Sequence, residues 1–474
     1  MQVRFSVLSQ DDRDIIHQTA LSILERVGVR VKSPALFTLL RSAALPSDET
    51  RETVYFPAQV VTDALAAAPK RWTQTDLLGN PLPSPADQPF FVARVLLNWV
   101  LDFGQREPRL PKKQDIINLI RLSDSLPKSH IVYKVDCPCS DVAEELTYLE
   151  TIATVYRNTN KHIVANPINE QAARYYVELG EAATGKPIRG QTWLLCGIAV
   201  TSPLTIDKDT GDNLVFLLER GAPINCFGMP ITGASGPVTL AGTVAQHTAE
   251  VLALVTAVQL HSPGTPVGYG GTSPVLNLKT GNLSMAAPAV NLLTNAITTM
   301  ATHYGLPAYN AANYTDAFVP DVQCGVEKAM SAIAGMAAGS TVGMFAGDLH
   351  DAMTVSYEQL LIDYDIWESV SRLIAGIQVD SQTLAQEVIE RIGHTGDMLT
   401  DPHTLSWMRR DEHVFGQFFV RGERQAEKSM VERAHEQVRQ VLSEEGVMPV
   451  SPDAVERVDA YVRREKRYIQ NRER

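Results

Sequence analysis

Cysteine is scarce in this 474-residue sequence. Cys137, Cys139, Cys196, Cys226 and Cys324 are an odd set, too few to form a disulfide framework in a chain of this size. Cys137-Pro-Cys139 is one residue short of a CxxC knuckle and has no second half, so structural zinc is not expected and no metal ligands are assigned. All five read as reduced thiols in a cytoplasmic protein. Basic residues are also in deficit: 42 against 54 acidic ones leave a net charge of -12, which repels phosphate backbones and makes nucleic acid a poor partner. No stretch holds the ~20 strongly apolar residues of a membrane span. The uncharged run over residues 329–347 consists mostly of Ala, Gly, Ser and Met. The first residues carry Arg4 and reach charge again by Asp11, without an apolar signal core, so neither export nor membrane attachment is expected. HExxH, GxxxxGK[ST], a Ser–His–Asp spacing that can be argued, and a lysine at a strand end are all missing.

What is present is a repeat of type. Short β-rich apolar runs begin at Ile131 (IVYKVD), His162 (HIVAN), Trp193 (WLLCGIAV), Pro223 (PINCFGMPI), Pro266 (PVGYGG), Pro307 (PAYNAAN) and Ser340 (STVGMFAG), with successive starts 31, 31, 30, 43, 41 and 33 residues apart. A βα unit takes about 30 residues, and eight close a barrel. The eighth strand is expected in residues 94–101 (RVLLNWVL) or just before. Helical spacing fills the intervals, as in Leu146, Leu149 and Ile152. The sequence therefore predicts an α/β fold: a TIM-like (β/α)8 barrel over residues 91–380, a helical segment over 1–90 and a helical extension over 381–474. In the first segment, residues 13–31 read as one amphipathic helix with Ile15, Ile16, Ala20, Ile23, Leu24 and Val27 on its stripe. Residues 57–68 read as a second helix. The alternating charges of residues 421–474 read as a solvated helical face. Gly335, Gly339, Gly343 and Gly347 fall four apart, and tight helix–strand packing in the barrel wall accounts for them better than a membrane GxxxG dimer.

Reactive residues of such barrels lie on the loops after the strands. That rule selects Asn166, Ser202, the loop of Gly233 and Gly236, Asn313 and Tyr314 with Asp316, and His350. The glycine loop is a candidate for holding a cofactor phosphate at the following helix, or for leaving backbone room beside a ligand. Asp348-Leu349-His350 resembles the start of DxHxxG, through which corrinoid proteins donate an axial histidine. Met353 replaces the glycine, so a tightly bound corrinoid is not expected. His350 is as readily an ordinary loop histidine as a site residue. If it belongs to the site, the flanking Asp348 and Asp351 are expected to favour its cationic form.

Several segments together resemble one family. They are residues 17–31 (HQTALSILERVGVRV), 102–115 (DFGQREPRLPKKQD), 232–242 (TGASGPVTLAG), 268–281, 304–327 (YGLPAYNAANYTDAFVPDVQCGVE) and 393–405. The family is that of the trimethylamine methyltransferases, in the branch without pyrrolysine that includes glycine betaine methyltransferases. The resemblance implies a TIM-like barrel that passes a methyl group from a methylated amine to the Co(I) of a cognate corrinoid protein, which carries the cobalamin. Every position of 304–327 is an ordinary residue, and Tyr314 or Asn313 is taken to stand where pyrrolysine stands in trimethylamine-specific members. A quaternary amine such as glycine betaine is already cationic and leaves as a neutral amine, so the departure points to that substrate class. His350, Tyr314, Asn313 and Asp316 are then the catalytic candidates. Trp99, Tyr269, Tyr314 and Tyr357 offer cation–π faces, worth ~0.5–2 kcal/mol each, although core packing is the commoner use of an aromatic ring. Asn166, Ser202 and Glu358 complete the substrate-binding set. A homo-oligomer is expected. Two other functions fit the same residues: a quaternary-ammonium binding protein without turnover, and a barrel methyltransferase with a different methyl acceptor.

Overall fold

The computed structural model describes residues 3–86, 88–310, 313–394, 396–408, 416–420, 428–444 and 449–472. Eight parallel strands form one sheet: β1 (Phe90–Leu96), β2 (Ser129–Val135), β3 (His162–Asn166), β4 (Leu194–Val200), β5 (Ile224–Gly228), β6 (Val267–Gly271), β7 (Ala308–Asn310) and β8 (Val342–Ala346). Their order follows the chain, with β8 laddered to β1. The seam between β7 and β8 is closed by Thr341, whose N–H donates to Ala308 O at 2.9 Å and whose Oγ1 accepts from Ala308 N at 3.0 Å. All seven named runs are strands of this sheet. The eighth starts earlier than RVLLNWVL, at Phe90, because the alternation of FFVARVL serves two cores at once. Phe90 and Val92 face the lumen beside Ile131, Val164, Leu195 and Val342. Phe91 faces outward, onto Tyr364 and Trp367. Continuous apolar runs of this kind are what a parallel sheet buried on both faces requires.

A helix follows each strand: α4 (Lys113–Asp124), α5 (Thr147–Asn158), α6 (Glu170–Thr184), α7 (Lys208–Arg220), α8 (Leu240–His261), α9 (Pro288–His303), α10 (Val322–Ala338) and α11 (Tyr357–Ala375). Before the barrel stand α1 (Gln10–Arg26), α2 (Pro34–Ser42) and α3 (Ala58–Ala67), with α1 and α3 packed on α8. The long helix expected over residues 13–31 is shorter. Gly28, at φ 72°, ends it, and Val29–Val31 turns into a strand paired with Thr53–Val54 and Thr205–Ile206. A Cβ at Gly28 would lie 2.6 Å from Val54 O, so glycine is needed at this turn. The stripe shifts accordingly: Ile16, Ala20, Leu21 and Leu24 are buried, while Ile15 and Val27 are exposed.

Beyond α11 come α12 (Gln386–Ile392), α13 (Pro402–Trp407), α14 (Met430–Ser443) and α15 (Pro452–Arg472). Parts of 421–474 lie outside the described residues. Within the remainder one face is not solvated: α14 packs on α11, and α15 lays Val458, Tyr461 and Val462 against α5 and α6. Of the four glycines spaced four apart, Gly343 is where helix and strand come closest, since a Cβ there would stand 2.6 Å from Trp367 Nε1. All five cysteines are free and buried. No described helix is long and apolar enough to cross a membrane.

Candidate active site

The upper lumen is organised around a cation. Arg94, in the middle of β1, alternates inward and is 3% exposed. Its guanidinium carbon lies 5.0, 5.5 and 5.2 Å from the ring centroids of Tyr133, Tyr314 and Phe345. Its Nε is 3.3 Å from Asp348 Oδ2. Lys328, reaching inward from α10, donates to Asp348 Oδ1 at 2.6 Å and to Asp363 Oδ2 at 2.8 Å. Asp363 also accepts from the Gly347 N–H and from Gln359. Two cations and two carboxylates are therefore interleaved without exposure. Isolated, each would be prohibitively costly to bury, and removing one partner of such a set typically costs ~3–5 kcal/mol. Burial works against the Arg94 charge, but Asp348 outweighs it and holds the group firmly cationic. Burial pushes the Tyr133 phenol up to about 12, against the opposing effect of Arg94, and raises Tyr314 as well. Both phenols are neutral at physiological pH.

Asn166, at the end of β3, donates to Tyr133 Oη at 3.0 Å and leans over Gly197 of β4, where a Cβ would be 2.0 Å from its Oδ1. Asn225 of β5, opposite β1 in the ring of strands, lies between Gly268 and Gly270 with its Oδ1 unpartnered. Tyr314 and Asn166 are thus the sequence-selected residues joined to the Arg94 ring cage. Asn313, at φ 88°, is fully buried, with its N–H on Ser331 Oγ at 2.7 Å; its neighbours Ala311 and Ala312 lie outside the described residues.

The other candidates go elsewhere. His350, at φ 49°, stacks on Phe318 at the rim with ring centroids 4.0 Å apart. The acids flanking it are not turned to it: Asp348 faces Arg94 and Lys328, and Asp351 is paired with Asp316. Asp316 accepts from Ser284 Oγ and from the N–H groups of Met285 and Ala286, which fixes the β6–α9 loop. Trp99 is a rim residue, 38% exposed, paired through its backbone with Thr354. Ser202 Oγ donates at 2.7 Å to the buried Glu250, which burial holds above the usual carboxylate range.

Tyr269, Tyr357 and Glu358 are not brought to the lumen. Tyr269 lies on the outer face of β6 with its hydroxyl on Thr248; Tyr357 bonds Asp115 between α4 and α11; Glu358 accepts from His435 of α14. Strand alternation explains Tyr269, because a strand places only alternate side chains inside; Tyr357 and Glu358 open α11 and turn into the helix layer. Gly233 and Gly236 spend their N–H groups within their own turn, on Gly236 O and Ile231 O, and offer no phosphate cradle. Arg94, Lys328, Asp363 and Asn225 were not among the residues selected from sequence. A lone arginine inside FFVARVL, and a lysine directly before an uncharged run, were the signals available. A separate cavity of about 690 Å³, lined by Trp72, Tyr309 and Thr341 among others, opens at the opposite end of the barrel, away from the βα loops.

Residues 2–470 match the trimethylamine methyltransferase (MTTB) family. The chain belongs to that family. Among curated members it is 30% identical over 490 residues to the trimethylamine methyltransferase MttB of Methanosarcina barkeri (strain Fusaro), with 97% of this chain and 95% of that one covered. It is 26% identical to the glycine betaine methyltransferase of Desulfitobacterium hafniense (strain Y51), covering 86% and 85%. The solved monomethylamine methyltransferase (MtmB) of Methanosarcina barkeri has the same fold, with a TM-score of 0.54 at 11% identity over 97% of this chain and 92% of that one. The chain is accordingly a methyltransferase built on a (β/α)8 barrel. The His350 segment departs from the DxHxxG pattern: the 40% exposed Met353 side chain stands where that loop has glycine, and the His350 ring lies on Phe318.

Proposed function

We propose that this methyltransferase moves a methyl group from a quaternary amine to the Co(I) of a corrinoid carried by a separate protein. One observation carries the reading. The acids beside the ring cage, Asp348 and Asp363, are both tied to Lys328, so neither is set to protonate a departing amine. A quaternary nitrogen needs no such proton. It keeps the C–N electron pair and leaves as a neutral tertiary amine, while the cobalt pair forms the new bond to carbon. The chain's own contribution is to hold the donor in line at the mouth, where positioning supplies several kcal/mol, and to exclude water from the reacting centre. The rim suits a docking partner: Ile168, Met229, Val238, Leu278, Phe318 and Met353 are exposed apolar side chains on the loops after β3, β5, β6, β7 and β8.

The test is a visible spectrum of cob(I)alamin with the protein and, separately, glycine betaine, choline, tetramethylammonium or trimethylamine. Methylcobalamin formed from a quaternary donor but not from trimethylamine supports the reading. Equal rates with trimethylamine overturn it. Donor binding without cobalt methylation would instead favour a binding protein or another acceptor.

A further inference from the structure

We propose that the outward face of α10 is a two-fold contact, occupied by the same face of a second copy of this chain. Val322, Val326, Met330 and Ile333 recur at helical spacing and form one stripe down this helix. All four are exposed, Val322 to 83%. Gln323 is the only other exposed side chain of α10, because Lys328 is buried and Glu327 is drawn in by Thr315 and the Asp316 N–H. The stripe continues past the helix. The Phe5 N–H donates to Ala337 O at 3.0 Å and the Val3 N–H to Ile374 O at 2.8 Å, which brings two more exposed apolar residues one turn beyond Ile333. Asn295 Nδ2 of α9 holds Phe5 O at 3.0 Å and Ala334 O at 2.9 Å, so this segment is tied to both helices. Arg4, between the two, folds its guanidinium over Gly339.

These six side chains expose on the order of 500 Å² of apolar surface, at the upper end of what a monomer leaves in one patch. Two copies meeting through them would bury about 1,000 Å², the threshold of a specific interface. Charge selects the occupant. The chain carries a net charge of -12, so surfaces that display its acids repel a second copy. A helix face without exposed charge is complementary to itself, which is what a two-fold contact requires of a single patch. A partner of different sequence would gain specificity from charge, and this face offers none. Met330 lies near the middle of the stripe, where residues close to a two-fold axis meet their own copies. Pairing along a wall helix leaves the βα loops of both copies uncovered for the chemistry and its carrier.

Sedimentation and light scattering of the full chain at micromolar concentration should give twice the 52.0 kDa of one copy. Val326→Glu combined with Met330→Glu should raise the dissociation constant at least a hundredfold. Ile15→Glu, at an exposed apolar position of α1, should leave it within twofold. A second variant makes the test independent of a folding defect. The five native cysteines are buried, so a short bis-maleimide should trap a covalent dimer from Met330→Cys and none from Ile15→Cys. An assembly larger than two supports the proposal if the double glutamate variant splits it and overturns it if the assembly stays intact. A monomeric parent, a dimer that the double variant does not weaken, or equal trapping by both introduced thiols would overturn it. A monomeric parent whose double variant slows transfer to a protein-bound corrinoid alone would give the face to that carrier. One whose double variant only unfolds more easily would give it to the chain's own residues. Both results overturn the proposal.

Discussion

His350 and Asp351 are neighbours with separate fates. The His350 ring lies on Phe318 at the rim, where it is available to orient a donor or a docking corrinoid. His350→Ala should lower the rate of cob(I)alamin methylation more than tenfold, ~1.4 kcal/mol in the barrier. Its unfolding free energy should change by about 0.5 kcal/mol or less, as for other rim positions. A parent rate in a folded variant returns His350 to an ordinary loop role. Asp351 is pushed up to about 7 by burial first and then by the Asp316 carboxylate, with Glu327 adding repulsion and the Met285 N–H opposing. Its folded pKa exceeds the unfolded value, so the native state binds more protons between about pH 4 and 7. That contribution is fully present below pH 4 and is lost as pH rises through 7. In urea titrations the parent should therefore lose unfolding free energy relative to the always neutral Asp351→Asn from pH 4 to 7, with no further change above 8. A pH-independent difference would contradict the pairing.

At the scale of elements, β8 and α11 meet through a missing side chain. Gly343 lets Trp367 lie against the strand, and Trp367 Nε1 in turn donates to Pro89 O at 3.0 Å just before β1. Gly343→Ala would put a methyl group 2.6 Å from that nitrogen and 2.3 Å from Met336 Cε. Met336 can yield; the indole is hydrogen-bonded and cannot do so freely. The variant should lose ~1–3 kcal/mol, the usual result of overpacking, measured by chemical denaturation. A fall in tryptophan burial should accompany it. The fourfold glycine spacing is visible in the sequence, but of the four only Gly343 serves tight helix–strand packing; Gly339 caps α10 at φ 100° and Gly347 turns at φ 95° after β8. That one glycine would face an indole was not visible, because Trp367 is 24 residues later and belongs to another element.

For the whole molecule, the distribution of exposed apolar side chains around the mouth separates docking from chemistry. Leu278, 67% exposed on the β6–α9 loop, lies beside the Gly233 turn and takes no part in the ring cage. Leu278→Asp should slow methyl transfer to a protein-bound corrinoid several-fold and leave transfer to free cob(I)alamin within twofold. Equal loss with both acceptors would place Leu278 in the donor site instead of the docking face.

The strand spacing and the apolar character of the runs settled the barrel, since a parallel strand buried on both faces has no other composition and a βα unit has a nearly fixed length. The same linear pattern placed Asn166, Tyr314 and His350 at the reactive end. It could not tell which side of a strand or helix start each residue would face. Tyr269 therefore turned outward, and Tyr357 and Glu358 joined the helix layer through Asp115 and His435, far from them in sequence. The charge at the centre was decided only in three dimensions. Arg94, Lys328, Asp348 and Asp363 come from β1, α10, the end of β8 and α11, and a cation can remain buried there only because folding brings the compensating carboxylates within 3.3 Å.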